Sequence, residues 1–80
     1  MKVKILLFAS FREKAGKSEL IEEIEEGTTA REIWEELKKR YSLPILSEHV
    51  LMAINEEFAM EDTIVKDGDT IAFFPPVSGG

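Results

Sequence analysis

The chain opens with an alternation of apolar and polar side chains. Val3, Ile5 and Leu7 fall on one side of an extended chain, and the lysines between them fall on the other. This is the period-two pattern of a half-buried strand. Leu6 and Phe8 interrupt the polar side. The pattern therefore predicts a strand with one buried face and an outer face that is apolar at one end.

Similar patterns predict five strands in all: Lys2–Ala9, Glu19–Glu25, Val50–Asn55, Phe58–Met60 and Thr70–Phe74. Glutamates crowd the second strand, whose register the pattern does not settle. We expect it at an edge of the sheet, because charges there discourage pairing with another sheet. A loop containing Gly16 should precede it, and turns are expected at Glu56–Glu57 and Asp67–Asp69.

One long helix is predicted after the second strand. Thr29 and Glu32 have the spacing of a capping box, in which each side chain accepts a hydrogen bond from the other residue's backbone N–H. Five apolar residues recur at helical spacing and should form its buried stripe: Ala30, Ile33, Trp34, Leu37 and Tyr41. Trp34 is therefore interpreted as a core residue.

The other side of this helix should face water. Glu35 with Lys39 and Glu36 with Arg40 are expected to form ion pairs there, since residues four apart are neighbours on a helix. Pro44 excludes any continuation of the helix, because its ring clashes with the preceding turn.

This order of elements predicts an α+β domain in which one main helix packs on one face of a mixed sheet. The first and last strands are the most apolar, so we expect them to be parallel neighbours at the centre of the sheet. This is the β-grasp, or ubiquitin-like, arrangement, predicted for residues 1–76, with residues 77–80 as an extended C-terminal tail ending in Gly-Gly.

The helix can cover only one face of the sheet. Leu6, Phe8 and Phe74 should then form an apolar patch on the other face, which is typical of a protein interface. Phe58 follows a polar turn. It either folds back onto the core or is exposed for a partner, and the pattern leaves both open.

Composition narrows the possible functions. Ten Lys plus Arg against sixteen Asp plus Glu give a net charge of -6, which argues against nucleic-acid binding. The absence of cysteine excludes disulfides, thiolate metal sites and a cysteine nucleophile. Because His49 is the one histidine, a multi-histidine metal site is also excluded, and we expect no metal and no bound cofactor.

Location and charge distribution add two expectations. No apolar run reaches the roughly 20 residues of a membrane span, and no signal peptide is recognised, so we expect a cytoplasmic protein that does not contact a membrane.

Residues 1–17 carry five basic residues against Glu13 alone. They form either a solvated basic hairpin on an acidic body or a surface that attracts an acidic partner.

The last residues, 73–80, read Phe-Phe-Pro-Pro-Val-Ser-Gly-Gly. A frayed terminus can also contain small residues, but Pro75 and Pro76 stiffen this one, while Gly79 and Gly80 lack a Cβ and can enter a narrow channel. The α-carboxylate of Gly80 is ionised at neutral pH. Adenylation by a partner enzyme would activate it for attack by a sulphur or nitrogen nucleophile.

With this ending the sequence resembles the family of molybdopterin synthase small subunits, which are ubiquitin-like sulphur carriers. The resemblance covers essentially the whole chain. Its matching pieces are Lys4–Ala9, Arg12-Glu13, Gly16, Asn55, Asp67–Asp69 and Phe73–Gly80. Relatives in thiamine synthesis and in protein conjugation share the two glycines but usually lack the Pro-Pro-Val-Ser that precedes them.

The resemblance implies a reaction cycle centred on Gly80. An ATP-dependent, E1-like activating enzyme would adenylate this glycine, and a sulphurtransferase would supply the sulphur that converts it to a thiocarboxylate. The tail would then enter the active site of the large synthase subunit. There the sulphur would pass to cyclic pyranopterin monophosphate, building the dithiolene that holds molybdenum or tungsten.

The resemblance also implies roles for other residues. The part of the tail inserted in the partner would comprise Pro75, Pro76, Val77, Ser78 and Gly79. By position, Phe58 and Phe74 match apolar interface positions of the family. With the apolar patch inferred above, the partner interface would comprise Leu6, Phe8, Phe58 and Phe74. The assembled synthase would be a heterotetramer of two small and two large chains, with the catalytic lysines on the large subunit.

Three alternatives remain at this point. The chain could be a ubiquitin-like modifier, in which Gly80 forms an isopeptide bond with a lysine of a target. It could be a sulphur carrier of the thiamine type. It could also be a regulatory binding module that docks through Leu6, Phe8 and Phe74 and does not need its tail.

Overall fold

The computed structural model describes residues 1–43 and 50–75. The elements are β1 (Lys2–Leu7), α1 (Ala9–Ala15), β2 (Glu19–Glu23), α2 (Ala30–Tyr41), β3 (Leu51–Ile54), β4 (Glu57–Ala59) and β5 (Thr70–Phe74). The strands form one mixed sheet in the order β2-β1-β5-β3-β4. β1 and β5 are parallel neighbours at its centre, and the other pairs are antiparallel. This confirms the predicted β-grasp arrangement.

The core lies between the inner face of the sheet and α2. Its most deeply buried side chains are Val3, Ile5, Leu7, Leu37, Val65, Ile71 and Phe73. The predicted capping box is present at the start of α2: Thr29 Oγ1 accepts from the Glu32 N–H at 3.3 Å, and Glu32 Oε1 accepts from the Thr29 N–H at 3.0 Å. Ser42, in the left-handed conformation, ends the helix before the proline that would break it.

Helix α1 was not predicted; it lies where we expected a loop containing Gly16. Phe11 is buried and Ala15 packs against the core, which holds this seven-residue helix in place. Gly16 ends it at φ 75°, a value that glycine adopts without strain, and donates its N–H to the Arg12 carbonyl at 2.9 Å. β1 therefore ends at Leu7 instead of Ala9, and residues 1–17 are not a simple hairpin.

The edge strands also differ in detail from their predicted bounds. β2 lies at an edge as predicted, but it ends at Glu23, and its register buries Leu20 opposite Ile5 while Ile21 stays exposed. The turn between β3 and β4 is Asn55–Glu56 instead of Glu56–Glu57. Asparagine tolerates the left-handed backbone that a two-residue hairpin turn requires, so the turn begins one residue earlier.

Ion pairs on α2 follow the prediction in part. Arg40 binds Glu36 at 3.3 Å, whereas Glu35 pairs with Lys38 at 3.1 Å, three residues on, instead of with Lys39. Arg40 also forms an ion pair with Glu22 of β2, so it links the helix to the edge strand. This hydrogen bond raises the pKa of Arg40 above its ordinary value, and its guanidinium remains charged.

Two further points concern the described part of the chain. Neither α1 nor α2 is long and apolar enough to cross a bilayer. The predicted boundary between residues 76 and 77 and the histidine His49 lie outside the described residues. The domain division therefore stays a prediction.

Candidate functional site

The candidate site begins where β5 ends. Phe73 is fully buried, whereas Phe74, the next residue, points to the outer face and is half-buried. Phe74 is the last residue paired with β3, because Pro75 has no N–H to continue the ladder. Of the residues predicted to be inserted in the partner, Pro75 is the one within the described part; Pro76–Gly79, and Gly80 after them, lie outside it.

Phe8 and Phe74 form a stacked aromatic pair at this end of the sheet. Their ring centroids are 4.6 Å apart and their planes differ by 12°. Ala9 adopts a φ of 51° directly after Phe8, and this turns the chain into α1 while the Phe8 ring stays on the outer face. The structure thus brings Leu6, Phe8 and Phe74 to one face, as the sequence pattern indicated. Their role as an interface stays a prediction.

A shallow groove of about 520 Å³ runs along this outer face. We call it the outer groove, and it is lined by Leu6, Phe8, Ala53, Asn55, Ala72 and Phe74 among others. Ala72 lies opposite Leu6 on one side and Ala53 on the other. The small alanine side chains form the floor and the larger side chains form the walls, so the groove is a concave, apolar surface.

The structure decides between the two interpretations of Phe58. Its side chain is 83% exposed, and Phe58 lies opposite Ala53, in the same row across the sheet as Ala72 and Leu6. Phe58 therefore extends the outer groove towards β4 and does not fold back onto the core.

Two exposed residues of this face were missed by sequence reasoning. Leu51 is 42% exposed and lies opposite Phe74, and Met60 directly follows β4. The alternation within β3 places Leu51 on the same side as Ala53. That signal was available in the sequence, but assigning the side to the outer face required the pairing of β3 with β5.

Hydrogen bonds of Asn55 hold one end of the outer groove. Its side-chain oxygen accepts from the Thr70 N–H at 3.0 Å, and its amide nitrogen donates to Asp69 Oδ1 at 2.9 Å. Asp69 Oδ2 accepts from the Lys66 N–H at 2.8 Å, and Asp67 Oδ1 accepts from the Lys2 N–H at 2.8 Å. These carboxylates thus stabilise the turn before β5.

The chemical character of the outer face is apolar. No group of three or more potential metal ligands occurs among residues 1–43 and 50–75. No polar or charged residue in that part of the chain is buried. Apolar walls and a stacked aromatic pair supply binding energy by excluding water, but they transfer no protons.

Together the fold and the outer groove define a ubiquitin-like β-grasp protein whose central strand leads into the C-terminal tail. The family model described as the ThiS family matches residues 5–80. The chain belongs to the ThiS family. This agrees with the resemblance that the first strand and the C-terminal residues indicated.

Three relatives illustrate the likeness. The molybdopterin synthase sulfur carrier subunit of Arabidopsis thaliana is 36% identical over 81 residues, which cover 100% of this chain and 84% of the relative. The subunit of the same name from Mycobacterium tuberculosis is 36% identical over 84 residues, with 100% and 99% covered. The solution structure of the small archaeal modifier protein 1 from Methanosarcina acetivorans superposes with a TM-score of 0.73 at 29% identity, with 99% and 96% covered.

Proposed function

We propose that this chain is a sulphur carrier in the biosynthesis of the molybdenum or tungsten cofactor, acting as the small subunit of a molybdopterin synthase. One observation carries the proposal: β5 passes from the core, through the Phe8–Phe74 stack, directly towards the tail. A partner that covers the outer groove therefore lies where the tail leaves the domain. The names of the full-length relatives support the same role.

The proposed chemistry takes place at the carboxylate of Gly80. A carboxylate oxygen attacks the α-phosphorus of ATP and displaces pyrophosphate, which leaves an acyl adenylate. The terminal sulphur of a persulphide on the sulphurtransferase then attacks the carbonyl carbon and displaces AMP, which leaves an acyl disulphide. A second thiol attacks the sulphur that belongs to the sulphurtransferase, forms a disulphide with it and so releases the thiocarboxylate. In the synthase this sulphur attacks a carbon of the pterin substrate and displaces an oxygen leaving group, and water hydrolyses the resulting thioester, which leaves the sulphur on the pterin and restores the carboxylate.

Partners supply the groups that this sequence requires. An E1-like activating enzyme binds ATP and adenylates the tail, so no cofactor resides on the carrier itself. A sulphurtransferase delivers the sulphur. The large synthase subunit covers Leu6, Phe8, Phe58 and Phe74, takes Pro75–Gly79 into its active site and contributes the catalytic lysines. We place the assembly, a heterotetramer of two small and two large chains, in the cytoplasm.

Intact-mass spectrometry tests the proposal. After incubation with ATP, the host's activating enzyme and a sulphur source, the chain should gain one sulphur in place of one oxygen at Gly80. A matched variant extended by one alanine after Gly80 keeps the domain and the tail but moves the carboxylate, and it should stay unmodified. An unchanged wild-type mass, obtained with an activating enzyme that adenylates other carriers, would contradict the proposal.

The relative named as a modifier favours a second candidate function, conjugation of Gly80 to a lysine of a target protein. The same acyl adenylate would serve, since the lysine amine would replace sulphur as the nucleophile. Conjugates of higher mass that disappear when Gly80 is deleted would support this function. If pterin synthesis fails in the same deletion strain and the wild type forms no conjugates, the result would support the sulphur-carrier function and exclude conjugation.

A further inference from the structure

β2 is an edge strand of the sheet, on the opposite side from β4, and no strand within residues 1–43 and 50–75 pairs with its outer side. Met1 and Ile24 exchange two backbone hydrogen bonds, of 3.0 Å and 2.7 Å, just beyond the paired part of β1 and β2. Hydrogen-bonded pairs alternate along an antiparallel ladder, so the even-numbered residues of β2 direct their backbone groups to β1. The N–H and C=O groups that point away from the sheet belong to Glu19, Ile21 and Glu23.

A cleft of about 270 Å³ lies beside this edge, between β2 and α2. Apolar side chains form its floor and charged ones its rim, namely Ile24, Ile33 and Leu37 below and Glu22, Glu36 and Arg40 above. Arg40 bonds to both glutamates, so the rim is held across the cleft from strand to helix. A side chain that enters from the edge therefore meets an apolar surface.

The other side of the same edge is acidic with one apolar residue between two carboxylates. Ile21 lies opposite Lys4 and is 61% exposed. Glu19 and Glu23 flank it on the same face. Glu19 is 3.1 Å from Lys4 Nζ, and Glu23 lies opposite Lys2 but makes no ion pair with any residue in the described ranges 1–43 and 50–75. The carboxylates lie on the outermost strand and the lysines one strand further in, so a group that approaches the edge meets the carboxylates first, and the edge favours a basic group with an apolar stem.

We propose that the β2 edge binds an extended segment of another protein in which apolar and basic residues alternate. Such a segment would add a sixth strand, with its backbone bonded to the N–H and C=O groups of Glu19, Ile21 and Glu23 that point away from β1. Its apolar residues would enter the cleft beside α2. Its lysines or arginines would meet Glu19 and Glu23 on the outer side and lay their methylene stems over Ile21.

Charge selects this occupant over a second copy of the chain. An edge-to-edge pair of two β2 strands would bring the glutamates of one copy against those of the other, and like charges on facing strands are destabilising. The net charge of -6 adds to that repulsion. A basic segment replaces the repulsion with attraction, so the same glutamates that prevent self-association favour such a partner.

The test uses the full chain and an end-blocked hexapeptide of alternating lysine and valine as the probe. Hydrogen exchange followed by NMR should show slowed exchange of the Glu19, Ile21 and Glu23 amides on binding. A peptide with glutamate in place of lysine should not bind. Glu23→Lys should weaken binding by about tenfold, since it turns an attraction into a repulsion. Glu57→Lys makes the same change of charge on the other edge strand and should leave the affinity within about twofold.

Three results would overturn the proposal. The first is equal weakening by Glu23→Lys and Glu57→Lys, which would mean attraction to net charge alone. The second is protection of amides at β4 or around Phe74 in place of the β2 amides. The third is slowed exchange at β2 that grows with protein concentration without the peptide, which would assign the edge to a second copy. Sulphur loading of Gly80 by the activating enzyme is a separate readout, and the proposal does not depend on it.

Discussion

Phe73 and Phe74 are consecutive residues of one strand that lie on opposite faces of the sheet. Phe73 is fully buried, faces Leu7 across the parallel pair and lies 5.3 Å from the Trp34 ring, centroid to centroid. Phe74 is half-buried and stacks on Phe8 instead. Both residues are phenylalanines, so their difference in burial comes from the face of the sheet on which each side chain lies. The inner face holds the fold together, and the outer face is available to a partner.

The contrast extends across the sheet. Ile5 and Ile71 are fully buried on the inner face, whereas Leu51 and Phe58 on the outer face are 42% and 83% exposed. Burial of one large apolar side chain contributes about 1.5–3 kcal/mol. Phe58 realises little of this contribution in the free chain, and Leu51 realises only part of it. The remainder would become available on binding of a partner that covers the outer groove.

The largest effect is expected for Phe73→Ala. Removal of a fully buried ring leaves a cavity beside Trp34 and should lower the free energy of unfolding by about 3–5 kcal/mol. Urea denaturation followed by tryptophan fluorescence measures the loss. The total free energy of unfolding of a small domain is roughly 5–15 kcal/mol, so a loss of this size can prevent folding. Phe73→Leu serves as a milder variant if the alanine variant does not fold. A loss below about 1 kcal/mol for Phe73→Ala would contradict the assignment of the inner face as the core.

Phe74→Ala is the matched change on the other face. It removes the stack with Phe8 and the buried part of the ring and should cost about 2 kcal/mol of stability, since partial burial of a Phe side chain contributes about 1 kcal/mol and the aromatic pair adds about 0.5–1.5 kcal/mol. Its main effect should be on binding of the large synthase subunit, measured by calorimetry. A variant that unfolds as readily as Phe73→Ala would show that the outer stack is part of the core. Unchanged binding would remove Phe74 from the interface.

Local patterns in the sequence were sufficient for the elements that contact the core along their whole length. The alternation of Val3, Ile5 and Leu7 predicts β1, and the Thr29–Glu32 capping box predicts the start of α2 to the residue. In both cases the periodicity that buries the side chains is also the periodicity of the element. The central position of β1 and β5 followed from the same apolar content.

Elements held by few contacts were not predictable in this way. Helix α1 has seven residues and one fully buried side chain, Phe11, so its periodicity is too short to distinguish it from a loop. The exposure of Leu51 depends on which strand it faces, and that is a property of the sheet order. The exposed position of Phe58 likewise required the pairing of β4 with β3. The residue pattern therefore predicted the outer groove at its Phe8–Phe74 end. At its β3–β4 end the pattern left Phe58 open, the family resemblance alone favoured its exposure, and Leu51 was missed.

A smaller effect is expected at the turn that borders the outer groove. Glu56 has a φ of 72° in the two-residue turn between β3 and β4, a conformation that glycine adopts without strain. Glu56→Gly should raise the free energy of unfolding by about 0.5 kcal/mol, because relief of strain exceeds the added flexibility of the unfolded chain. Thermal unfolding measures it, with Glu57→Gly in the adjoining strand as the control. A lower melting temperature for Glu56→Gly than for the control would contradict the argument from strain.

The smallest effect on stability, and the sharpest separation of the two faces, is expected for Phe58→Ala. Its ring is 83% exposed, so truncation should change the free energy of unfolding by less than about 0.5 kcal/mol. An aromatic side chain that a partner covers can contribute more than about 1 kcal/mol to binding. Affinity for the large subunit should therefore fall while the urea midpoint stays in place. Loss of stability without loss of affinity would assign Phe58 to the fold, and it would limit the partner interface to the Phe8–Phe74 end of the groove.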